Sequence, residues 1–525
     1  MSFEIKAKDV MGRIGLLKTR RGVIETPYMY PVINPVKKTI PLDEIKNEFK
    51  MNAVITNAYL VKKYFNETAI AEGVHKILDF EDVIMTDSGA YQLLIYGKVE
   101  VTPKEIVEFQ EKIGSDIAVI LDYPTGGNAT KKMAEETVKV TIERAIESEK
   151  YRTDDTILWV GPIQGGTFLD LIAYSAKQMS KLNFDIFALG SPTQIMERYE
   201  YDTLVDMIVT AKMNLPPNKP LHLFGGGHPM IFAFAVALGV DLFDSASYAL
   251  YARADRYITP TGTIKLTDLH ESICNCPICR RYPPDELKTL PKEQREKLLA
   301  RHNLYVTILE LNRIKQAIRE GRLWEYMAMK ARAHPKLLGA LKRIKKYAPY
   351  IEQFDPVTKK RALFYTGPED SYRPEVIRHR EYLKNYIPPL SLDIGVLIDF
   401  YALKNKKSTY YSVAKALKLI DNEELLHKTH LVLLSPLFGP VPLEISSVYP
   451  LYQYEIPDEI DLEILISGAN SVIEYLKKHK YRKLYLLLNE QQNDWLKPVI
   501  DFLNENNIPF EIHTNLQDIA KSLAL

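Results

Sequence analysis

From the N-terminus to about Gly321, short continuous apolar runs alternate with longer amphipathic stretches. The runs are PYMYPVI, NAVITNAYL, DVIMTDSG, DIAVILD, ILWVGPIQGG, FDIFALGS, LHLFGGG and VDLFDSAS. Between several of them, apolar residues recur every three or four positions, which predicts helices over Pro103–Ile113, Lys131–Lys150, Phe168–Leu182, Tyr199–Leu215 and His228–Leu238. A strand that is apolar on both faces must be covered on both faces. Alternation with amphipathic helices therefore predicts a parallel sheet wrapped by helices. Eight such units in succession predict a closed (β/α)8 barrel, with a doubly wound open sheet as the alternative.

The polar residues that interrupt this pattern fall in one kind of place. Asp87, Asp122, Gln164, Gly190, the triple Gly225–Gly227 and Asp244 each stand at or just beyond the carboxyl end of a run. In a barrel those ends converge on one face, so residues far apart in the chain become neighbours there. Taken singly, each reads as a turn former. In register, they predict a site.

From about His334 the pattern changes. HPKLLGALKRIKKYAPYIEQFDPVTKKR reads as a basic helix running into a loop. Beyond it, ALFYTG, THLVLLSP, KLYLLLN and PFEIHT read as strands, with helices over Asn470–His479 and Trp495–Asn504. The expected division is a catalytic barrel over 1–335, with a metal-binding subdomain at about 270–330, and one or two smaller α/β domains over 336–525.

Composition narrows the class. At 525 residues the chain is too long for one ordinary domain, and 68 basic against 67 acidic residues leave a net charge of +1. Nucleic-acid binding would then depend on a local patch, with Lys342, Arg343, Lys345, Lys346, Arg253 and Arg256 as candidates. The 32 tyrosines are read as packing residues. No apolar run is long enough to span a bilayer, and MSFEIKAKDVMGR lacks the apolar core of a signal peptide, so a cytoplasmic protein is expected.

All three cysteines, Cys274, Cys276 and Cys279, lie in one C-x-C-x-x-C knot. That clustering excludes a disulfide framework and has the spacing of metal ligands. His302 completes a tetrahedral Cys3His set, with His270 as the competing fourth ligand. Four strong protein ligands leave no open position for water, so one structural zinc ion is expected. His302 is read as lying at the start of a helix beginning LYVTILEL and ending at Gly321.

Three acids on one face, Asp87, Asp122 and Asp244, suit divalent-metal binding, general acid/base work, or glycosyl transfer through a carboxylate nucleophile. Here the motifs become specific. RIGLLKTRRGVIETPYMYPVINP, MTDSGAYQL, LDYP, PIQGG, FDSASY and the cysteine knot, in that order over roughly residues 10 to 330, resemble the tRNA-guanine transglycosylases. TGPEDSYRPEVIRHR and SPLFGPVPLEISSVYPLYQYEIP resemble the extra C-terminal region of the archaeal branch.

The resemblance implies exchange of guanine at position 15 in the D-arm of tRNA for 7-cyano-7-deazaguanine (preQ0), in archaeosine biosynthesis, through a covalent aspartyl-ribose intermediate. It implies Asp244 as nucleophile and Asp87 as second catalytic aspartate, with the two roles interchangeable on motif logic. Asp122 then reads the donors of the guanine edge, and Gln164 with Gly165 meets the O6 or 7-substituent side. Leu189 and Gly190 offer backbone groups there, while Ser88 and Tyr91 line the flat ring. It also implies a homodimer. No PUA module of the kind found in full-length archaeal relatives is read before HTNLQDIAKSLAL, so a separate PUA-containing protein is an expected partner. Rival readings are the queuine-type enzyme acting at the anticodon wobble base, an archaeosine synthase-like paralogue, and a non-catalytic tRNA-binding subunit.

Overall fold

The computed structural model describes residues 2–90, 101–388, 392–403, 428–451, 453–489 and 494–524. The chain forms two compact units, Met1–Tyr347 and Ala348–Leu525.

The first unit begins with an antiparallel sheet of β1 (Phe3–Asp9), β2 (Gly12–Lys18) and β3 (Val23–Thr26). Eight strands then close into a parallel barrel. They are β4 (Tyr28–Ile33), β5 (Ala53–Asn57), β6 (Val83–Asp87), β7 (Ile117–Val119), β8 (Leu158–Ile163), β9 (Ile186–Leu189), β10 (Leu221–Leu223) and β11 (Leu242–Ser245). Each of the eight apolar runs supplies one barrel strand, and closure through the β11–β4 and β10–β9 pairs excludes the open sheet. Helices occur at Pro103–Lys112, Lys131–Glu149, Leu169–Met179, Tyr201–Met213 and Pro229–Ala237, within three residues of each expected boundary. Local chemistry sets the starts. Thr102 and Glu105 form a reciprocal capping box before Pro103, and the Thr130 hydroxyl accepts from the Met133 N–H.

Acids just before the strands pin the N-terminal sheet to the barrel floor. The Arg13 guanidinium on β2 grips Asp241 bidentately at 2.7 and 2.8 Å, and the same carboxylate accepts from the Leu221 N–H. Asp116 likewise accepts from Arg20, His75 and the Ile84 N–H.

Beyond the barrel, β12 (Arg256–Thr259) and β13 (Gly262–Lys265) form a hairpin. A 29-residue helix, Lys292–Glu320, follows and stops at Gly321, which takes the left-handed conformation at φ 72°. The helix starts ten residues before His302, at Lys292, so His302 sits within it and not at its beginning. KEQREKLLAR is rich in strong helix formers, and Pro291 sets its entry. The first turns, KEQREKLLAR, carry little apolar periodicity, so spacing alone places the helix start too late.

The second unit holds a five-stranded sheet. Its order is Gly439–Pro442, Thr429–Ser435, Ile394–Asp399, Lys483–Leu487, Phe510–His513, with the first strand antiparallel to its neighbour and the others parallel. The central strand, Ile394–Asp399, is wholly buried and is not among the strand-like segments expected from the sequence. The helix expected over Asn470–His479 runs over Leu462–Lys478. No helix among the described residues is long and apolar enough to cross a membrane.

Candidate active site

Asp87 is the last residue of β6, Asp122 lies in the loop after β7, and Asp244 lies in β11. All three border one cavity of about 660 Å³ at the carboxyl ends of the barrel strands, together with Gln164 and Gly190. Asp244 Oδ1 accepts from His222 Nε2 at 2.9 Å and from the Gly225 N–H at 2.9 Å. Asp87 accepts from the Ser88 and Gly89 N–H groups and lies 3.4 Å from the Asn57 amide nitrogen. Asn57 is its register partner on the neighbouring strand β5.

The electrostatics differ from floor to mouth. At the floor, Asp241 and Asp116 are met by arginines, and Asp116 is held below the ordinary carboxylate range despite its burial. At the mouth, no Lys or Arg bonds the side chains of Asp87, Asp122 or Asp244 among the described residues. Burial pushes Asp87 up to about 7, and the neighbouring Asp122 and Asp244 carboxylates add to the shift. Burial likewise raises Asp122 to about 6. A fold that pairs its structural acids yet leaves three others to repel one another in a cleft has the signature of a reaction site.

The hydrogen-bond network orients Gln164. Its Oε1 accepts from the Thr125 N–H at 2.9 Å and the Ser191 hydroxyl at 3.0 Å. A backbone N–H can only donate, so the other end is the amide NH2, which donates to Asp122 Oδ2 at 2.7 Å. Gly190 makes room for this side chain, since a Cβ there would stand 2.2 Å from Gln164 Nε2.

Three other expected site residues sit behind the wall. Leu189 closes β9 at 1% exposure, and its carbonyl accepts from the Phe224 N–H. The side chain at the wall is instead Ser191, which sits at φ 62°. Gly165 packs against the backbone of Ile172, and its N–H donates to Thr125. Ser88 is fully buried, with no partner for its hydroxyl among the described residues. Tyr91 lies outside the described residues. The cavity also exposes residues that the apolar patterning had passed over: Asn57, Phe224 and Ser191. Beneath it, His222 is buried inside the strand LHL, where a single histidine leaves no periodic trace.

Beside the barrel, Cys274, Cys276, Cys279 and His302 bring their ligand atoms within 4.8 Å of one another. His302 Nε2 donates to the Ile258 carbonyl at 2.9 Å, which leaves Nδ1 facing the thiols, 3.3 Å from Cys279 Sγ. Three sulfurs and one lone pair so arranged could hold a metal ion. His270 is exposed and outside the cluster. Outer contacts support the knot: Tyr257 stacks on His302 at 3.6 Å, and Asn303 bonds the Ile258 N–H and the Tyr248 and Arg256 carbonyls.

Of the basic residues expected to grip nucleic acid, Arg343 pairs with Asp206 and ties helix Pro335–Arg343 to helix Tyr201–Met213. Lys346 lies 3.7 Å from the same carboxylate. Arg253 faces Glu296 at 3.5 Å, and Lys342 and Lys345 are exposed. Arg256 alone among them borders the cavity.

Fold and site together define a (β/α)8-barrel enzyme with an acidic mouth and a thiol-imidazole knot at its side. Residues 9–336 match the family described as queuine tRNA-ribosyltransferase, so the chain belongs to the tRNA-guanine transglycosylase family and is by class a glycosyltransferase. Among its relatives, the tRNA-guanine(15) transglycosylase of Methanocaldococcus jannaschii is 46% identical over 91% of this chain and 72% of its own length. Those of Saccharolobus solfataricus and Sulfolobus acidocaldarius are 45% and 43% identical, each over 92% of this chain and over 96% and 95% of their own lengths.

Proposed function

We propose that this protein exchanges guanine at position 15 of tRNA for 7-cyano-7-deazaguanine by double displacement. One observation carries the reading: acids and Gln164 from four different βα units converge on a single cavity, in a family of base-exchanging transferases. The relatives, named as tRNA-guanine(15) transglycosylases, favour position 15 over the anticodon. The acids themselves favour an enzyme over a tRNA-binding subunit.

The hydrogen bonds suggest how the roles divide. Among the described residues Asp244 carries both of its bonds on Oδ1, so Oδ2 is the oxygen that attacks ribose C1′. As the C1′–N9 bond breaks, Asp87 delivers a proton to the departing guanine. An ester between Asp244 and C1′ remains. Asp87, now ionised, takes the proton from the incoming base, whose nitrogen attacks C1′ and releases Asp244, so configuration is retained. Asp122 accepts from the base's N1–H and amino group, held in place by Gln164. The Cys3His set would hold zinc, whose filled coordination shell supplies rigidity and no reacting water. A homodimer and a PUA-containing partner belong to the same reading.

Incubation with unmodified tRNA and 7-cyano-7-deazaguanine, followed by mass spectrometric mapping, tests the assignment. Modification at position 15 is expected. Modification at the wobble base, or none, overturns it.

Asp87 permits a second check. The folded protein holds its proton more tightly than an unfolded chain does, so ionising it costs stability. The cost is absent below the ordinary carboxylate range, grows as pH rises, and is complete above about 7. Asp87→Asn removes it. The variant should lose exchange yet gain on the order of 2 kcal/mol in stability at pH 8 and nothing near pH 3, by denaturant unfolding at both. An Asn variant less stable than the parent at pH 8 would contradict the assignment.

A further inference from the structure

Asp244 is held by a side chain to which the reaction described above gives no part. His222 stands in the middle of β10, fully buried beneath the cavity. Phe224 meets its ring edge-on at 4.8 Å, and Tyr30, the register partner of Asp244 on β4, lies 5.8 Å away on another side. Between them the imidazole brings Nε2 to 2.9 Å from Asp244 Oδ1.

The other nitrogen identifies the tautomer. Nδ1 is shut off from solvent and has no partner among the described residues. A proton there would be a buried donor without an acceptor, so the ring carries its proton on Nε2 and donates it to Asp244. A second, cationic proton would meet the same penalty at Nδ1. Asp244 thus receives a neutral donor, whereas Asp241, three residues earlier, receives the Arg13 guanidinium. The difference matters for chemistry, because a cation at Oδ1 would stabilise the carboxylate's charge and blunt it as a nucleophile. A neutral N–H orients the group and leaves the charge in place. The Gly225 N–H completes the clamp on the same oxygen, at 2.9 Å, from a backbone at φ 65°.

Resting on the base-exchange reading, we propose that His222 is a positioning residue whose neutral N–H, acting with that of Gly225, helps Asp244 leave the ribose in the second displacement. In the ester, Oδ1 is an uncharged carbonyl oxygen. When the incoming base attacks C1′, the C1′–Oδ2 bond breaks, its electron pair returns to the carboxylate, and charge reappears on Oδ1 between the two donors. An N–H bonds an anionic oxygen about twice as strongly as a neutral one. The clamp therefore favours the free carboxylate over the ester, and it keeps the covalent intermediate from becoming a trap.

The test reads an equilibrium. Enzyme and tRNA are mixed with increasing amounts of guanine, and the tRNA adduct is quantified after denaturing electrophoresis. In His222→Phe, which keeps a ring and loses the donor, the guanine concentration that halves the adduct should rise about tenfold. His222→Gln, whose amide nitrogen can take the place of Nε2, should bring it back to within about twofold of the parent. A variant that is merely less well folded forms less adduct and leaves this midpoint where it was. A parental midpoint in His222→Phe, or an equal shift in both variants, overturns the proposal. A second measurement needs neither turnover nor the Phe variant: nitrogen NMR of the parent labelled at its histidine ring nitrogens, with His222 assigned by its loss in His222→Gln. Shifts of a neutral ring protonated at Nε2 are expected, and those of an imidazolium or of the Nδ1 tautomer overturn the donor. Absence of adduct in the parent would sink the double-displacement reading alone, and the nitrogen shifts would still decide the donor.

Discussion

Asp244→Asn is expected to reduce exchange of labelled guanine into tRNA by about 10⁴-fold or more, the scale on which removal of a covalent nucleophile falls. The substitution is nearly isosteric. An amide oxygen in place of Oδ1 can still accept from His222 and the Gly225 N–H, so the strand end and the cavity should be preserved. KM for tRNA should accordingly change little, because the loss falls on a bond made only during reaction. The proposed covalent intermediate gives an independent readout: a tRNA adduct that survives denaturing electrophoresis should form with the parent and be absent with Asp244→Asn. An adduct that persists in Asp244→Asn and disappears in Asp87→Asn would reverse the two roles.

Removal of the zinc ion proposed at the Cys3His set should have the next largest effect. Stripping zinc with a strong chelator, or replacing Cys276 by Ala, is expected to loosen the joint between the cysteine loop, the β12–β13 hairpin and helix Lys292–Glu320. In isolated zinc-dependent peptides the metal contributes roughly 10–16 kcal/mol. Here the helix is also held by Leu299, Leu304, Leu311 and Ile314, all nearly inaccessible, so the loss should be a fraction of that. One zinc per chain in the parent and none in Cys276→Ala, a lower melting temperature, and faster proteolysis between residues 270 and 300 are the expected results. Exchange should decline in step with unfolding. If chelation abolished exchange at unchanged melting temperature, the ion would be acting in the chemistry and the structural assignment would fail.

Much of the barrel was legible beforehand. Eight apolar runs became eight strands because a strand buried on both faces must be apolar throughout, a requirement written locally into the chain. Helix ends followed from Thr102, Thr130 and Gly321 for equally local reasons. Other features had no local signal. Ile394–Asp399 has the same composition as the barrel runs but lies outside their alternating frame, so nothing singled it out as the middle of a sheet. Leu189 and Gly190 were expected to offer backbone groups, and no local signal marks Ser191, just beyond the strand end, as the side chain that meets the cavity. His222 and Phe224 acquire meaning only once β10 stands beside β11.

The amino-acid sequence by itself determined a parallel barrel, a thiol-rich metal knot and a set of acids at strand ends, since each depends on residue types at short spacing. Only the tertiary structure decided which acids are available for chemistry. Asp241 and Asp244 lie three residues apart, yet one is gripped by Arg13 from 228 positions away and the other is held by His222 at the cavity. Ion pairing and desolvation act through space, so the chain order of two aspartates says nothing about which of them keeps a free oxygen.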